Sequence, residues 1–299
     1  MNGYVRVVEV SPRDGLQNEK AIVPTAVKIE LIRRLADCGC STVEATSFVS
    51  PQWVPQLADA EAVMAGLVRK PGVRYPVLVP NLHGYRRART AGVGEVAVFT
   101  AASEAFNRKN VNASIDASIA RFEPVLAQAR ADGVTVRGYV STVLGCPYQG
   151  EVPVADVVRV AARLFELGCA EISLGDTIGV GTPGRARAML RAVAAAVPMS
   201  ALAVHFHDTY GQALANILAC LEEGVRVVDA AVAGTGGCPY ARGASGNVAS
   251  EDVIYMLQGM GLETGVDLDA LVATGHWLAA QLGRTTGSRV GRARTPETA

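Results

Sequence analysis

The chain has 299 residues, of which 49% are hydrophobic and 19% charged, and its Lys plus Arg and its Asp plus Glu both total 28. This length predicts a single domain over residues 1–283, of the size of one α/β barrel. Zero net charge gives no electrostatic footprint for a nucleic acid or an anionic membrane, and no apolar run approaches the roughly 20 residues that span a bilayer. A small-molecule substrate is therefore favoured over either of those partners.

Two features suggest a soluble, cytoplasmic protein. Met1 lies only a few residues before the first strand-like segment, which leaves no room for a signal peptide. The six cysteines, at positions 38, 40, 146, 169, 220 and 238, lack the spacing of a metal knuckle and are expected to be reduced thiols. At the other end, residues 284–299 are expected to be disordered.

Strand-like and helix-like segments alternate along the chain. β-branched runs predict eight strands, at residues 5–10, 42–48, 74–80, 95–100, 135–142, 171–177, 202–209 and 227–234. Helical spacing of apolar residues is found at 26–38, 115–131, 154–167, 186–196 and 212–223, and later at 249–259 and 268–282. Strands that are apolar on both faces and alternate with helices predict a (β/α)₈ barrel with extra C-terminal helices packed beside it.

Polar residues concentrate where the predicted strands end. In a (β/α)₈ barrel the loops at these C-terminal ends build the active site. The first strand is followed by Arg13 and Asp14, the second carries Glu44, and the sixth ends near Asp176. The seventh carries two histidines, at 205 and 207. All of these side chains are expected to converge on one mouth.

His205 and His207 indicate a metal site. They are two residues apart in an apolar strand, so both imidazoles lie on the same face. Two structural histidines are the alternative, but barrel interiors prefer branched aliphatic residues and the chain has only four histidines. Asp14 is the natural carboxylate partner, although Asp before Gly is also typical of a turn. Two imidazoles with oxygen ligands suit Mg²⁺ or Mn²⁺ better than zinc.

Two further polar residues each have a structural alternative. Arg13 can present donors to a developing oxyanion or can pair with Glu44, and both hold if Glu44 orients it. Asp176 is either functional or a cap for the following helix.

The Gly-rich segment 234–247 has the composition of a mobile loop over the mouth. Cys238 within it is a candidate general acid or base, whereas a packing cysteine is implausible in such a loop. The pattern matches neither the dinucleotide fingerprint nor the phosphate-binding P-loop. Nucleotide chemistry is therefore not expected.

Five motifs in chain order carry a resemblance to a known family. They are residues 11–20 (SPRDGLQNEK), 44–51 (EATSFVSP), 175–179 (GDTIG), 205–212 (HFHDTYGQ) and 236–240 (GGCPY). With these motifs, the chain resembles the 3-hydroxy-3-methylglutaryl-CoA lyases from about residue 5 to residue 282. The related isopropylmalate and homocitrate synthases and pyruvate carboxyltransferases share the His-x-His site but lack the GGCPY loop, which separates lyase from synthase.

The resemblance implies a retro-Claisen lyase that cleaves 3-hydroxy-3-methylglutaryl-CoA to acetoacetate and acetyl-CoA with Mg²⁺ or Mn²⁺, and that forms a homodimer or larger homo-oligomer. It places the metal ligands on Asp14, His205, His207 and Asn247. It places the catalytic residues on Arg13, Glu44, Asp176 and Cys238. It places the substrate contacts on Arg13, Gln17, Asn107, Lys109 and Asn110.

Three other functions stay open on the sequence alone. A lyase for a longer branched substrate, such as 3-hydroxy-3-isohexenylglutaryl-CoA, uses the same residues and differs only in its pocket wall. A synthase running the condensation is disfavoured by the Cys238 loop and by the absence of a long regulatory C-terminal domain. A catalytically silent binding barrel predicts the loss of site residues, and none of these residues is missing.

Overall fold

Parallel strands form the inner layer of the computed structural model, which describes residues 3–237 and 246–294. The strand segments are β1 Arg6–Glu9, β2 Thr42–Val43, β3 Thr46–Ser47, β4 Val77–Leu78, β5 Glu95–Ala101, β6 Thr135–Ser141, β7 Glu171–Asp176, β8 Leu202–Phe206 and β9 Val227–Ala230. Their order in the sheet is β2-β1-β9-β8-β7-β6-β5-β4-β3. The α/β class predicted from the alternating pattern is confirmed.

The two ends of the sheet are the two halves of one predicted strand, residues 42–48. Between β2 and β3, the Glu44 N–H donates to the Glu9 carbonyl and the Ala45 N–H donates to the Pro76 carbonyl, each at 2.9 Å. This segment therefore bonds to a neighbour on each side, and the sheet returns to its starting point. These are the connections that a closed barrel requires.

Helices cover the outside of the sheet. They are α1 Thr25–Asp37, α2 Ala60–Gly66, α3 Leu82–Thr90, α4 Glu104–Val111, α5 Ile115–Ala131, α6 Val154–Leu167, α7 Pro183–Ala194, α8 Ala213–Glu222, α9 Ser250–Gly259, α10 Leu268–Gln281 and α11 Arg289–Ala293. The main core lies between the two layers, where helix residues such as Leu31, Leu164 and Leu190 are fully buried. None of the described helices is long and apolar enough to cross a membrane.

The C-terminal part of the chain differs from the disorder expected of residues 284–299. Residues 284–294 are described and include α11. Asp252 of α9 accepts hydrogen bonds from the Ser288 hydroxyl at 2.6 Å and from the Val290 N–H at 2.8 Å. The polar composition of this stretch suggested disorder. The buried Asp252 carboxylate nevertheless orders it by accepting from the first N–H groups of α11. Residues 295–299 lie outside the described range.

Cysteine burial agrees with the expectation of reduced thiols for five of the six positions. Cys38, Cys40, Cys146, Cys169 and Cys220 are free and buried. Cys238 lies outside the described residues.

Candidate active site

A tight turn after β1 brings two of the predicted site residues to the mouth of the barrel. Residues Ser11–Gly15 form a π-helical turn in which the Asp14 and Gly15 N–H groups both donate to the Val10 carbonyl, at 2.8 and 3.1 Å. Gly15 packs so closely that a Cβ there would lie 2.4 Å from the Thr235 hydroxyl oxygen. The turn therefore needs glycine at this position, and it fixes Arg13 and Asp14 against the loop that follows β9.

Asp14, His205 and His207 form a cluster of potential metal ligands. Each offers one ligand atom, and these atoms all lie within 4.8 Å of one another. Asn247 adjoins them: its backbone pairs with that of His207, and its Nδ2 donates to Asp14 Oδ2 at 2.8 Å. The structure thus brings together the four residues that the family resemblance marks as ligands.

One buried atom of this cluster fits a cation. Among the described residues, Asn247 Oδ1 has no hydrogen-bond partner. Buried polar atoms are rarely left without a partner unless an ion, a water or a ligand satisfies them. An amide oxygen, a carboxylate and two imidazoles are a donor set that Mg²⁺ or Mn²⁺ accepts.

The surroundings of Asp14 and His207 favour the protonation states of metal ligands. Burial opposes ionisation of Asp14, but the Arg13 charge and the two imidazoles outweigh it and lower the Asp14 pKa to about 2. Burial, together with the neighbouring His205, lowers the pKa of His207 to about 4. A carboxylate that is ionised and an imidazole that is neutral near pH 7 are the forms that bind a cation.

Arg13 is held between two carboxylates. Its Nε donates to Glu44 Oε2 at 2.8 Å and its Nη1 to Asp14 Oδ1 at 2.7 Å. Its guanidinium carbon also lies 5.4 Å from the centre of the Tyr139 ring. Burial raises the pKa of Glu44 even though the Arg13 charge opposes this. Arg13 thus pairs with Glu44, which orients it, and its role at a developing oxyanion stays a prediction.

Sequence reasoning missed a second layer of charge behind His205. His205 Nδ1 lies 3.1 Å from Asp229 Oδ2, and Asp229 also accepts from Arg137 Nη2 at 2.6 Å and from the Ser173 hydroxyl at 2.9 Å. Burial favours the neutral form of His205, but Asp229 outweighs it, so the His205 pKa is raised. The available signal was a single charged residue in each of two apolar strands, Asp229 in β9 and Arg137 in β6.

A cavity of about 410 Å³ opens beside the cluster. This volume is in the range of small-molecule sites. Two of the predicted substrate contacts, Gln17 and Asn110, line it together with Arg13. Its wall further includes Val49, Trp53, Leu78, Phe99, Phe106, Arg121, Phe122 and Tyr139. The wall also carries polar residues such as Asn18, Ser50 and Asn81, so the cavity combines the polar cluster with a mixed apolar and polar wall.

Several predicted site residues do not line this cavity. Glu44 and Asn247 contact it through Arg13 and Asp14, to which they are hydrogen-bonded. The Asp176 carboxylate is fully buried and accepts from the Val180 and Gly181 N–H groups, at 3.3 and 2.7 Å, so it holds the loop before α7. The Asn107 amide is buried and donates to the Ser114 carbonyl at 2.9 Å. Lys109 is exposed and does not line the cavity. Cys238 lies outside the described residues.

Comparison with known proteins gives close matches over nearly the whole chain. A family model described as HMGL-like matches residues 4–277. The mitochondrial hydroxymethylglutaryl-CoA lyase of Gallus gallus is 60% identical over 289 residues, which cover 97% of each chain. The solved hydroxymethylglutaryl-CoA lyase from Pseudomonas aeruginosa has a TM-score of 0.95 at 57% identity and covers 97% of both chains.

A second solved structure was obtained with ligands. It is an HMG-CoA lyase from Acinetobacter baumannii in complex with coenzyme A and 3-methylmalate. Its TM-score is 0.94 at 38% identity, and the match covers 99% of this chain and 97% of that one.

Proposed function

Since the chain belongs to the HMGL-like family, we propose that it is a divalent-metal-dependent lyase that cleaves 3-hydroxy-3-methylglutaryl-CoA to acetoacetate and acetyl-CoA. The observation that carries this proposal is the Asp14, His205 and His207 cluster, which lies beside the buried Arg13 at the base of the cavity. The identity with named lyases over 97% of the chain favours this substrate over a longer branched one.

Asp14, His205, His207 and Asn247 would hold Mg²⁺ or Mn²⁺. When bound, such an ion supplies positive charge that orients the substrate oxygens and lowers the pKa of a nearby hydroxyl. Asn247 contributes the buried Oδ1 that has no partner among the described residues, while its Nδ2 keeps Asp14 in place. Activity assays of the metal-free protein with each ion in turn decide between Mg²⁺ and Mn²⁺.

The cleavage breaks one carbon-carbon bond and moves one proton. Loss of the proton from the tertiary hydroxyl turns the C–O bond into the ketone of acetoacetate, and the electrons of the broken bond pass to the thioester as an enolate. A proton then returns to the enolate carbon and gives acetyl-CoA. The base for the first step is His205, Asp14 or a water beside them, and we assign the returning proton to Cys238 of the Gly-rich segment 234–247.

Arg13 stabilises the negative charge that grows on the thioester oxygen. Its fork is preorganised by Glu44 and Asp14, so no reorientation is needed when the charge develops. Because the interaction is stronger with the enolate than with the thioester, it lowers the barrier and does not merely tighten substrate binding.

Coenzyme A recognition is assigned to the outer wall of the cavity. Gln17 and Asn110 line it. Lys109 is next to Asn110 in the chain, and its positive charge can bind the phosphates of coenzyme A. Asn107 acts indirectly, because its amide fixes the end of the α4 segment that carries both residues. We further propose a cytoplasmic homo-oligomer, on the family resemblance.

Steady-state cleavage tests the proposal. The purified protein is freed of metal with a chelator, assayed for acetoacetate release, and assayed again after Mg²⁺ or Mn²⁺ is added. We expect turnover only with added metal. Turnover of 3-hydroxy-3-isohexenylglutaryl-CoA in preference to the methyl substrate would replace the proposed substrate, and full activity without metal would overturn the metal-dependent chemistry.

A further inference from the structure

The imidazole of His205 lies between two carboxylates that serve different purposes. Its Nδ1 is 3.1 Å from Asp229 Oδ2, which is hydrogen-bond distance, whereas its Nε2 is 3.9 Å from Asp14 Oδ2, which is too long for one. His205 of β8 and Asp229 of β9 are direct partners in the parallel register, so their side chains leave the sheet on the same face. The strand pairing itself therefore sets the contact between them.

Asp229 is surrounded by donors. Arg137 reaches both of its oxygens, with Nη2 at 2.6 Å from Oδ1 and Nη1 at 3.1 Å from Oδ2, and the Ser173 hydroxyl donates to Oδ2 at 2.9 Å. An ionised carboxylate can only accept hydrogen bonds. The atom of His205 that faces it must therefore be an N–H, and in a neutral imidazole this leaves the lone pair on Nε2.

We propose that Asp229, held by Arg137, is a positioning residue that fixes the Nδ1–H tautomer of His205 and so presents the Nε2 lone pair to the cation site. This inference rests on the metal site proposed above. Outer carboxylates that accept from a ligand histidine orient the ring and raise metal affinity in other metal sites. Here the carboxylate belongs to a buried charge pair that spans β6 and β9, with no contact to the cavity.

The second histidine provides an internal contrast. Among the described residues, His207 Nδ1 has no hydrogen-bond partner, so no carboxylate fixes its ring from behind. Removal of Asp229 should therefore change the tautomer of His205 and leave His207 as it is. A general loss of structure would affect both rings.

Asp229→Asn is the informative variant because it keeps the shape and removes one acceptor. The Asn oxygen is expected at the Oδ1 position, where it keeps the 2.6 Å bond from Arg137, and its NH₂ group then faces His205 Nδ1. The ring must accept that hydrogen bond, which moves its proton to Nε2 and removes the lone pair from the cation site. Arg137 keeps a second partner, because its Nε lies 2.7 Å from Glu171 Oε1.

The first test reads the tautomers directly in the metal-free protein. Nitrogen-15 spectra of histidine-labelled protein are recorded from about pH 9 upward, until the His205 signals no longer change with pH, because the His205 pKa is raised above its ordinary value. The chain has four histidines, and the His205 signals are those lost in His205→Gln. We expect Nδ1–H in the wild type and Nε2–H in Asp229→Asn, with His207 unchanged. A wild-type His205 that carries its proton on Nε2 would overturn the proposal, even if the variant fails to fold.

The second test measures Mn²⁺ affinity by titration, independently of catalysis. Asp229→Asn should bind Mn²⁺ roughly 10- to 100-fold more weakly than the wild type. Asp116→Asn, a change at an exposed carboxylate on α5, is the matched control and should bind as the wild type does. Equal affinity in Asp229→Asn and the wild type would contradict the positioning role. Wild-type protein that binds Mn²⁺ with the expected tautomer but does not cleave the substrate would instead refute the proposed function alone.

Discussion

Buried carboxylates occur in two regions of this barrel, and their partners differ. In the candidate active site, Asp14 is paired with Arg13 and Asp229 with Arg137. In the corner where β1 meets α9, Glu9 accepts from the Ser11 and Val232 N–H groups and from the Ser250 hydroxyl. Glu251 in the same corner accepts from the Ala233 N–H at 3.0 Å. Among the described residues, the carboxylates of the first region thus pair with full positive charges, whereas those of the second accept from neutral donors.

The difference decides which carboxylates are ionised. Burial opposes ionisation in both regions, but the guanidinium of Arg137 outweighs it and lowers the pKa of Asp229. Burial prevails over the neutral donors in the corner, so the pKa of Glu9 is raised and that of Glu251 is raised to about 8. Glu44 shares a feature with each region: it pairs with an arginine, Arg13, but burial still raises its pKa. Of these buried acids, the two whose pKa is lowered, Asp14 and Asp229, each pair with an arginine.

The largest effect is predicted for the removal of Arg13, because its charge lowers the pKa of Asp14. Arg13→Met takes the charge from Asp14 and Glu44 and also removes the donors proposed to face the thioester oxygen. The loss of such donors costs about 10² to 10³ in kcat, and the disturbed Asp14 adds to it. We therefore expect kcat to fall by at least about 10³, with a much smaller change in KM.

Arg33→Met is the control for that substitution. Arg33 lies on α1, half exposed, and pairs with Glu30 and Asp37 along the helix. It should retain wild-type kinetics. A change in Arg13→Met that falls mainly on KM would contradict the assignment of Arg13 to the transition state.

The corner carboxylates predict a pH-dependent stability. The folded pKa of Glu251, about 8, lies above its ordinary value of 4.5. The folded protein therefore holds this proton more tightly than the unfolded chain. The resulting stability is complete below about pH 4.5 and is lost as the pH rises through about 8. The pKa interval corresponds to at most roughly 5 kcal/mol.

Glu251→Gln should remove much of this slope. Urea unfolding at acidic, neutral and alkaline pH measures it, and the variant should gain on the wild type as the pH rises. Glu166→Gln, at an exposed position of α6, is the matched control. If Glu251→Gln and the wild type lose stability in parallel, the carboxyl of Glu251 is ionised in the folded protein and the proposed contrast fails.

Local sequence patterns predicted only part of the candidate active site. The period of two in β8 places both histidines on one face, and the ends of parallel strands gather Asp14 and His205 whatever the detailed packing. No local pattern indicates that Arg137 of β6 pairs with Asp229 of β9, because 92 residues separate them and the strands are not neighbours. Such pairs depend on the curvature of the whole barrel.

Loop geometry explains the other differences from the sequence predictions. Asn107 was expected to contact the substrate, but Ser103 caps a helix after β5 by accepting from the Phe106 N–H, so Asn107 turns inward. Asp176 follows the same principle, since the turn at residues 179–181 directs two N–H groups at its carboxylate. Side chains that bond to nearby backbone change their direction with each turn, which spacing alone does not specify.

A smaller effect is expected at the third acid of the corner. Asp252 accepts from the Ser288 hydroxyl and from the Arg289 and Val290 N–H groups, at 2.6, 3.1 and 2.8 Å. These are neutral donors at the start of α11, so Asp252→Ala should cost about 1–2 kcal/mol, as the loss of a helix cap does. It should also free residues 284–294 for limited proteolysis. Unchanged protease resistance would show that other contacts hold this segment.

The smallest effect is predicted for Arg289→Met, which removes the side-chain charge but keeps the backbone N–H that bonds to Asp252. The Arg289 side chain is 63% exposed and pairs with Asp208 Oδ2 at 3.2 Å, one residue from His207. Exposed pairs of this kind contribute less than about 1 kcal/mol, and high salt screens them. Arg289→Met should therefore unfold within about 0.5 kcal/mol of the wild type and keep its protease resistance. If it loses as much stability as Asp252→Ala, the ion pair anchors the segment, and neutral donors are not sufficient in the corner region.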